Sequence, residues 1–150
     1  MEEIKTKIRN NTETFFKQMG FRVDISNLDF RDNSYFLDLD TNDARPLIGK
    51  SGDVLFKIQS LLNKMINKEI SDYISLELDI NGYKKKREQY LREVANQVAN
   101  DVLTLKTAKS IAGLSPYERR IVHVELAMNT NIKTESIGEK EDRKLIIKPV

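Results

Sequence analysis

Two short stretches hold the residue types whose spacing could do chemistry. The first is Gly49-Lys50-Ser51-Gly52. Two glycines three apart let the backbone turn sharply and approach a ligand without Cβ clashes. Ser51 and Gly52 then offer backbone N–H groups at the start of a following helix, where the dipole favours an anion. Lys50 adds a positive charge at the tip. Such a turn can clamp a nucleic-acid backbone while bases lie along an apolar groove. The plainer reading, a simple connection between two helices, uses the same four residues.

The second stretch holds Arg119 and His123, with Arg120 beside them. At 100° per residue, positions four apart on a helix lie about 40° apart, so Arg119 and His123 share a face. Tyr117, Ile121, Val124 and Met128 form an apolar stripe on nearly the opposite side. A guanidinium fork and an imidazole donor together suit a phosphate. Catalysis fits less well, because no nucleophile or acid–base pair is defined around the single His. A solvated surface pair is the alternative.

Composition removes other chemistries. The 150 residues contain no Cys, no Trp and one His, so no disulfide framework, redox motif or zinc site is expected. Hydrophobic residues make up 39% and charged residues 32%, which suits a globular domain or two. No apolar run approaches the roughly 20 residues needed to span a bilayer. The N-terminus lacks the basic-then-apolar build of a signal peptide. The expectation is a cytoplasmic protein without membrane insertion, cofactor or metal.

A net charge of +2 conceals an uneven distribution. Residues 1–83 carry 11 basic and 14 acidic side chains, and residues 84–150 carry 14 and 9. The second part opens with Lys84-Lys85-Lys86-Arg87. Such asymmetry points towards a polyanionic partner. A solvated helix start is the bland alternative. Four cations also oppose the macrodipole at a helix N-terminus, so a compensating anion is expected, a bound phosphate being one candidate.

The elements that must position these residues follow from periodicity. Residues 2–19 predict a helix stopped by Gly20. Phe21–Leu28 and Ser34–Asp40 alternate, predicting two strands of a hairpin around a polar turn at Asp29–Asn33. Arg45-Pro46-Leu47-Ile48 starts a short helix broken by the glycine turn. A helix follows from Asp53 to about Asn67, with Leu55, Ile58, Leu62, Met65 and Ile66 inward. Ile74–Ile80 predicts a third strand, giving the order α-β-β-α-α-β. A long helix spans roughly 84–109, with a stripe at Leu91, Val94, Ala95, Val98, Val102 and Leu105. Ile111–Leu114 reads as a strand or a docked loop. Ser115-Pro116-Tyr117-Glu118 reads as a helix start with a capping box, running to about Met128. Asn131–Ile137 and Lys144–Lys148 predict a closing hairpin.

A P-loop competes for the same residues, since Ala44-Arg45-Pro46-Leu47-Ile48-Gly49-Lys50-Ser51 matches one loosely. A P-loop is a Gly-rich loop after a buried parallel strand. Here the strand before it carries Asp38 and Asp40, and the loop itself holds Pro46, Leu47 and Ile48. The strand ending at Asp79 alternates instead of forming the continuous apolar run expected of a magnesium-bearing strand.

Taken together, the residues resemble the Jag family, also called KhpB, of RNA-binding proteins. The first half is similar to a type II KH domain, with its helix–Gly-x-x-Gly–helix at Leu47–Leu55. The second is similar to the small domain named for an Arg-x-x-x-His signature. Its match is Ser-Pro-Tyr-Glu-Arg-Arg-Ile-Val-His at 115–123, followed by Thr134-Glu135-Ser136-Ile137-Gly138 and Glu141-Asp142-Arg143. The resemblance implies an α+β chain with a KH domain at 1–82, its three-stranded sheet covered by helices on one face. A small α/β Arg-x-x-x-His domain would occupy 83–150. It implies a bacterial, cytoplasmic, non-enzymatic protein that binds single-stranded RNA or structured RNA ends. The family is tied to post-transcriptional control and to cell elongation or division. A small single-KH protein is an implied partner, and a homodimer a further expectation. Many members carry another N-terminal domain and a linker, whereas these 150 residues open on the KH-like helix.

The expected RNA-binding set is therefore Gly49, Lys50, Ser51 and Gly52 with Arg45 and Ile48 in the first half. In the second half it is Arg119, Arg120, His123 and Arg143, joined by Lys84, Lys85, Lys86 and Arg87. Aromatic residues are only 7%, which favours backbone and groove binding over a stacking sheet. A protein-interaction adapter with degenerate RNA binding is the alternative that the acidic first half supports, and a P-loop-like nucleotide hydrolase is a third.

Overall fold

The first helix ends where the glycine stands. In the computed structural model, which describes residues 1–150, α1 (Glu2–Met19) closes at Gly20, whose N–H bonds the Lys17 carbonyl. The strand after it begins later than alternation predicts. β1 is Asp24–Arg31 and pairs antiparallel with β2 (Ser34–Asp40). The polar stretch Asp29–Arg31 is strand, not turn, because Asp29, Phe30 and Arg31 pair with Phe36, Tyr35 and Ser34. Only Asp32 and Asn33 turn, both at positive φ. This is the two-residue geometry whose twist suits a hairpin.

A short helix α2 (Ala44–Ile48), a 3-10 turn at Lys50–Gly52 and α3 (Asp53–Asn67) follow. β3 (Leu76–Ile80) then lies parallel to β2, making the sheet order β1-β2-β3. The observed order is α-β-β-α-α-β. Tyr35, Leu37 and Leu39 from β2, and Leu76, Leu78 and Ile80 from β3, are buried in one core with Ile8 and Phe16 of α1 and Leu55, Ile58, Leu62 and Ile66 of α3. Met65, expected inward, is only half-buried. Each large side chain withdrawn from water contributes about 1.5–3 kcal/mol.

β3 sits at a sheet edge, yet α3 satisfies its outer backbone groups. Asn63 donates to the Leu76 carbonyl at 2.8 Å and accepts from its N–H at 2.9 Å. Asn67 does the same for Ile74 at 3.0 and 2.8 Å, and Gln59 accepts from the Leu78 N–H at 2.9 Å. Three amides at four-residue spacing thus stand in for a neighbouring strand, blunting an edge that would otherwise invite pairing.

The chain divides into two compact units, Met1–Lys84 and Lys85–Val150. The second contains α4 (Tyr83–Leu105) from its third residue, then β4 (Lys109–Ile111), α5 (Pro116–Leu126), β5 (Ile132–Ile137) and β6 (Lys144–Pro149). β6 is central in an antiparallel sheet of order β4-β6-β5. Leu91, Ala95, Ala99 and Val102 of α4 pack with Val122 and Leu126 of α5 and with Leu145 and Ile147 of β6. α4 stops at Leu105, before the expected 109, as Lys106 takes positive φ. Leu105 is 59% exposed, so it lies outside the core stripe in which periodicity placed it.

α5 turns a different side inward from the one its apolar stripe suggests. Glu118, Val122 and Leu126 are its buried residues, whereas Tyr117, Val124 and Met128 are 44%, 59% and 89% exposed. No helix is long and apolar enough to cross a membrane.

Candidate functional site

The glycine turn is held from both sides. Gly49 has φ 75° and ψ −170°, a region essentially reserved for glycine. A Cβ there would stand 2.2 Å from Asp53 Oδ1 and 2.5 Å from Val54 Cγ2. Gly52, buried and at φ 80°, would place a Cβ 3.0 Å from the Tyr83 ring and 3.6 Å from Phe56. Gly49 is thus required by close packing as well as by conformation, while Gly52 owes its place mainly to its positive φ, with the Tyr83 ring close by. Between them, Ser51 also takes positive φ and Lys50 is exposed at the tip. Arg45 is exposed one turn earlier, and Ile48 is half-buried against the core.

Residues 44–48 of the competing P-loop reading are helical, and the Gly49 N–H is committed to the Arg45 carbonyl at 2.9 Å. A P-loop needs those residues as an open cradle of amides. The geometry here is a helix–turn–helix joint.

In the second unit the capping box fixes the signature helix. Ser115 Oγ accepts from the Glu118 N–H, and Glu118 Oε1 accepts from the Ser115 N–H, each at 3.2 Å. The other Glu118 oxygen takes the Arg87 Nε–H at 2.5 Å, a pair in which the carboxylate is 2% exposed. Arg119 donates from Nη1 to the Leu114 carbonyl at 2.7 Å, tying the helix to the loop before it. His123 Nδ1 lies 2.5 Å from Thr134 Oγ1 on β5. Pairing of Thr134 with Ile147 and of Ser136 with Leu145 holds that strand in place.

Arg119, Arg120, His123 and Arg143 therefore line one open cavity of about 390 Å³, with the hydroxyls of Thr134 and Ser136. Arg143, 20 positions after His123, comes in because the β5–β6 hairpin folds back; its Nη1 donates to the Gly138 carbonyl at 3.3 Å. Three guanidinium groups, an imidazole and two hydroxyls facing one space can donate to the oxygens of a phosphate diester. Thr134 and Ser136 are not among the expected site residues. The one signal for them in the sequence is their place in the segment following the Arg/His helix.

The basic run does not act as a block. Lys84 Nζ donates to Gln59 Oε1 at 2.6 Å and to Glu77 Oε2 at 3.4 Å, and lies 4.6 Å from the Phe56 ring centre. Burial lowers its pKa below the usual lysine value, with Glu77 and Asp79 opposing. Arg87 is taken by Glu118, while Lys85 and Lys86 are exposed. The anion expected at the start of α4 is also internal. Asp79 Oδ1 accepts from the Lys84 N–H at 3.0 Å and from Ile80 at 2.8 Å. A carboxylate capping the helix, with Glu77 and Glu118 on the side chains, meets the dipole and charge argument without a phosphate.

A family model for the domain named after its Arg-x-x-x-His signature matches residues 89–149. A protein of Clostridium symbiosum named RNA-binding protein KhpB is 34% identical over 147 residues, covering 97% of this chain and 66% of that protein. The protein of the same name in Bacillus subtilis (strain 168) is 34% identical over 106 residues, 69% of this chain and 51% of its own length. That of Lactiplantibacillus plantarum is 27% identical over 131 residues, 87% of this chain and 40% of its own. The chain spans between 40% and 66% of the length of these relatives.

Proposed function

The Arg-x-x-x-His domain and the KhpB relatives support membership of the Jag/KhpB family, and from that premise we propose that the chain binds single-stranded RNA without catalysing a reaction on it. The observation that carries this reading is the cavity in which Arg119, Arg120, His123 and Arg143 converge with Thr134 and Ser136. Its donors suit phosphate oxygens, and the shallow, open space suits a strand more than an enclosed metabolite.

The first unit is read as a KH-like module occupying about residues 1–82, with the Arg-x-x-x-His module from 83 onward. The α-β-β-α-α-β order and the Gly-x-x-Gly joint between α2 and α3 support that reading. In it Lys50 and the amides of Ser51 and Gly52 hold the RNA backbone, with Arg45 and Ile48 flanking the path. Lys85 and Lys86 add long-range attraction, while Lys84 and Arg87 hold the fold. Cytoplasmic post-transcriptional control, with a link to cell elongation or division, is the corresponding cellular role. A small single-KH protein or a second copy is its proposed protein partner.

Replacing Lys50 and Ser51 together by Asp tests the clamp, since Lys50 is exposed and Ser51 half-exposed. The variant should fold and lose most of its affinity for single-stranded RNA in a filter-binding titration. Undiminished binding by a folded variant would remove the clamp from the account.

A further inference from the structure

The two edges of the first sheet are finished differently. The outer backbone groups of β3 are taken by Gln59, Asn63 and Asn67, whereas β1 has no strand beyond it in the order β1-β2-β3. The direction of its free backbone groups follows from its partner. The Tyr35 N–H donates at 2.8 Å to the Ser75 carbonyl, on the side of β2 away from β1. Phe30 stands opposite Tyr35, so its own N–H and C=O turn away from β2 and outward. Leu28, opposite Leu37, repeats this two residues earlier. The pairing is irregular at Ser26, which leaves residues 27–31 as the regular run open to a further strand.

We propose that this edge is a self-association surface, on which β1 pairs antiparallel with β1 of a second copy about Phe30 and joins two three-stranded sheets into one. This gives the second-copy partner of the reading above its surface, and rests on that part of it. Residues opposite each other must both turn their backbone groups to the neighbour or both away, so Phe30 can face Phe30, Leu28 or another residue of that alternating set. Charge chooses among these registers. Asp29 and Arg31 are exposed and share the strand face opposite to that of Phe30, where Arg31 lies 4.2 Å from the Phe36 ring centre. With Phe30 against Phe30, each Asp29 meets the Arg31 of the other copy, at the closely spaced kind of pair. With Phe30 against Leu28, Asp29 meets Asp29 and the like charges repel. With Leu28 against Leu28, Asp29 meets Asn27 and Arg31 is carried onto the irregular stretch. Charged residues commonly keep an edge unpaired. Two of opposite sign, set symmetrically about Phe30, instead make one pairing attractive. The other face agrees with that register. Phe30 is 41% exposed, and its ring centre lies 4.7 Å from that of the buried Tyr35. Phe30 against Phe30 extends this contact into an aromatic row across the joint.

The test is sedimentation equilibrium of the whole chain between about 10 μM and 1 mM, the range that suits a small interface. The weight-average mass of the wild type should rise from that of one chain towards that of two. Asp29→Arg and Arg31→Asp should each weaken dimerisation at least about tenfold, because each sets like charges together at both ends of the pairing. An equimolar mixture of these two variants should dimerise about as well as wild type, since each cation of one chain then meets a carboxylate of the other. A chain carrying both substitutions should do the same. Circular dichroism establishes that each variant is folded, and a filter-binding titration with single-stranded RNA runs beside the sedimentation. A wild type that stays monomeric while binding RNA overturns the surface alone. So does a dimer that both single variants retain, or a mixture of the two that stays monomeric. A wild type that dimerises with this charge dependence and binds no RNA supports the surface and refutes the RNA reading.

Discussion

Glu118 should be the residue on which the signature helix depends most, although it points away from the cavity. Its carboxylate is 2% exposed and serves two partners at once, Arg87 on α4 and the Ser115 N–H at the helix start. Glu118→Ala removes the cap contact, worth about 1 kcal/mol. It also leaves Arg87 without its counter-ion. Breaking a fully buried pair costs about 3–5 kcal/mol, but the Arg87 side chain is 29% exposed. Water therefore recovers part of its solvation, and about 1–3 kcal/mol is the fitting range. The combined loss should be about 2–4 kcal/mol. Glu118→Gln keeps the volume and the acceptor for Ser115 and loses only the charge, for about 1–2 kcal/mol. Because two units need not unfold together, the measurement is hydrogen exchange by mass spectrometry on peptides from 115–126. Protection there should fall about 100-fold in the alanine variant and about tenfold in the glutamine variant. Exchange within twofold of wild type in the alanine variant would refute the claim that the buried pair and capping box hold this helix.

Gly49→Ala combines a glycine-only backbone with a Cβ 2.5 Å from Cγ2 of the β-branched Val54, so it should cost the first unit about 2–5 kcal/mol and lower its urea midpoint. A variant within about 0.5 kcal/mol of wild type would mean that the turn relaxes freely. Lys84 provides a pH prediction. Burial lowers its folded pKa below 10.5, so between that lowered value and 10.5 the unfolded chain binds more protons and stability rises with pH. The stability of wild type relative to Lys84→Met should therefore increase as pH is raised towards 10.5. A flat difference in chemical denaturation across that window would contradict the burial argument.

Periodicity served best where one face of an element is apolar and the other is wet. The bounds of α3, Asp53–Asn67, and its inward Leu55, Ile58, Leu62 and Ile66 are legible in that way. It failed where partners decide. Asp29–Arg31 carry two charges and look like a turn, but their backbone groups are claimed by the register with β2. Gln59, Asn63 and Asn67 read as an ordinary polar helix face, and only the position of β3 makes them an edge cap. Within the site, the 119/123 spacing alone sets Arg119 and His123 on one face. Arg143, Thr134 and Ser136 join them only through the antiparallel closure of β5 on β6. The run at 84–87 misled because charge counting cannot see that Lys84 and Arg87 turn to Glu77 and Glu118. The stripe at 117, 121, 124 and 128 misled in the opposite direction, since its periodicity is that of a buried face and the structure leaves most of it exposed.

The central claim is that the Arg/His cavity neutralises phosphates of a single strand. It is tested most directly by the salt dependence of RNA affinity for wild type and Arg120→Ala, a substitution at an exposed position. On a single strand each phosphate contact contributes about 0.7 to the log–log slope. The variant should bind more weakly, with a slope shallower by about 0.7. A wild-type slope near zero, or an Arg120→Ala slope and affinity equal to those of wild type, would contradict the account.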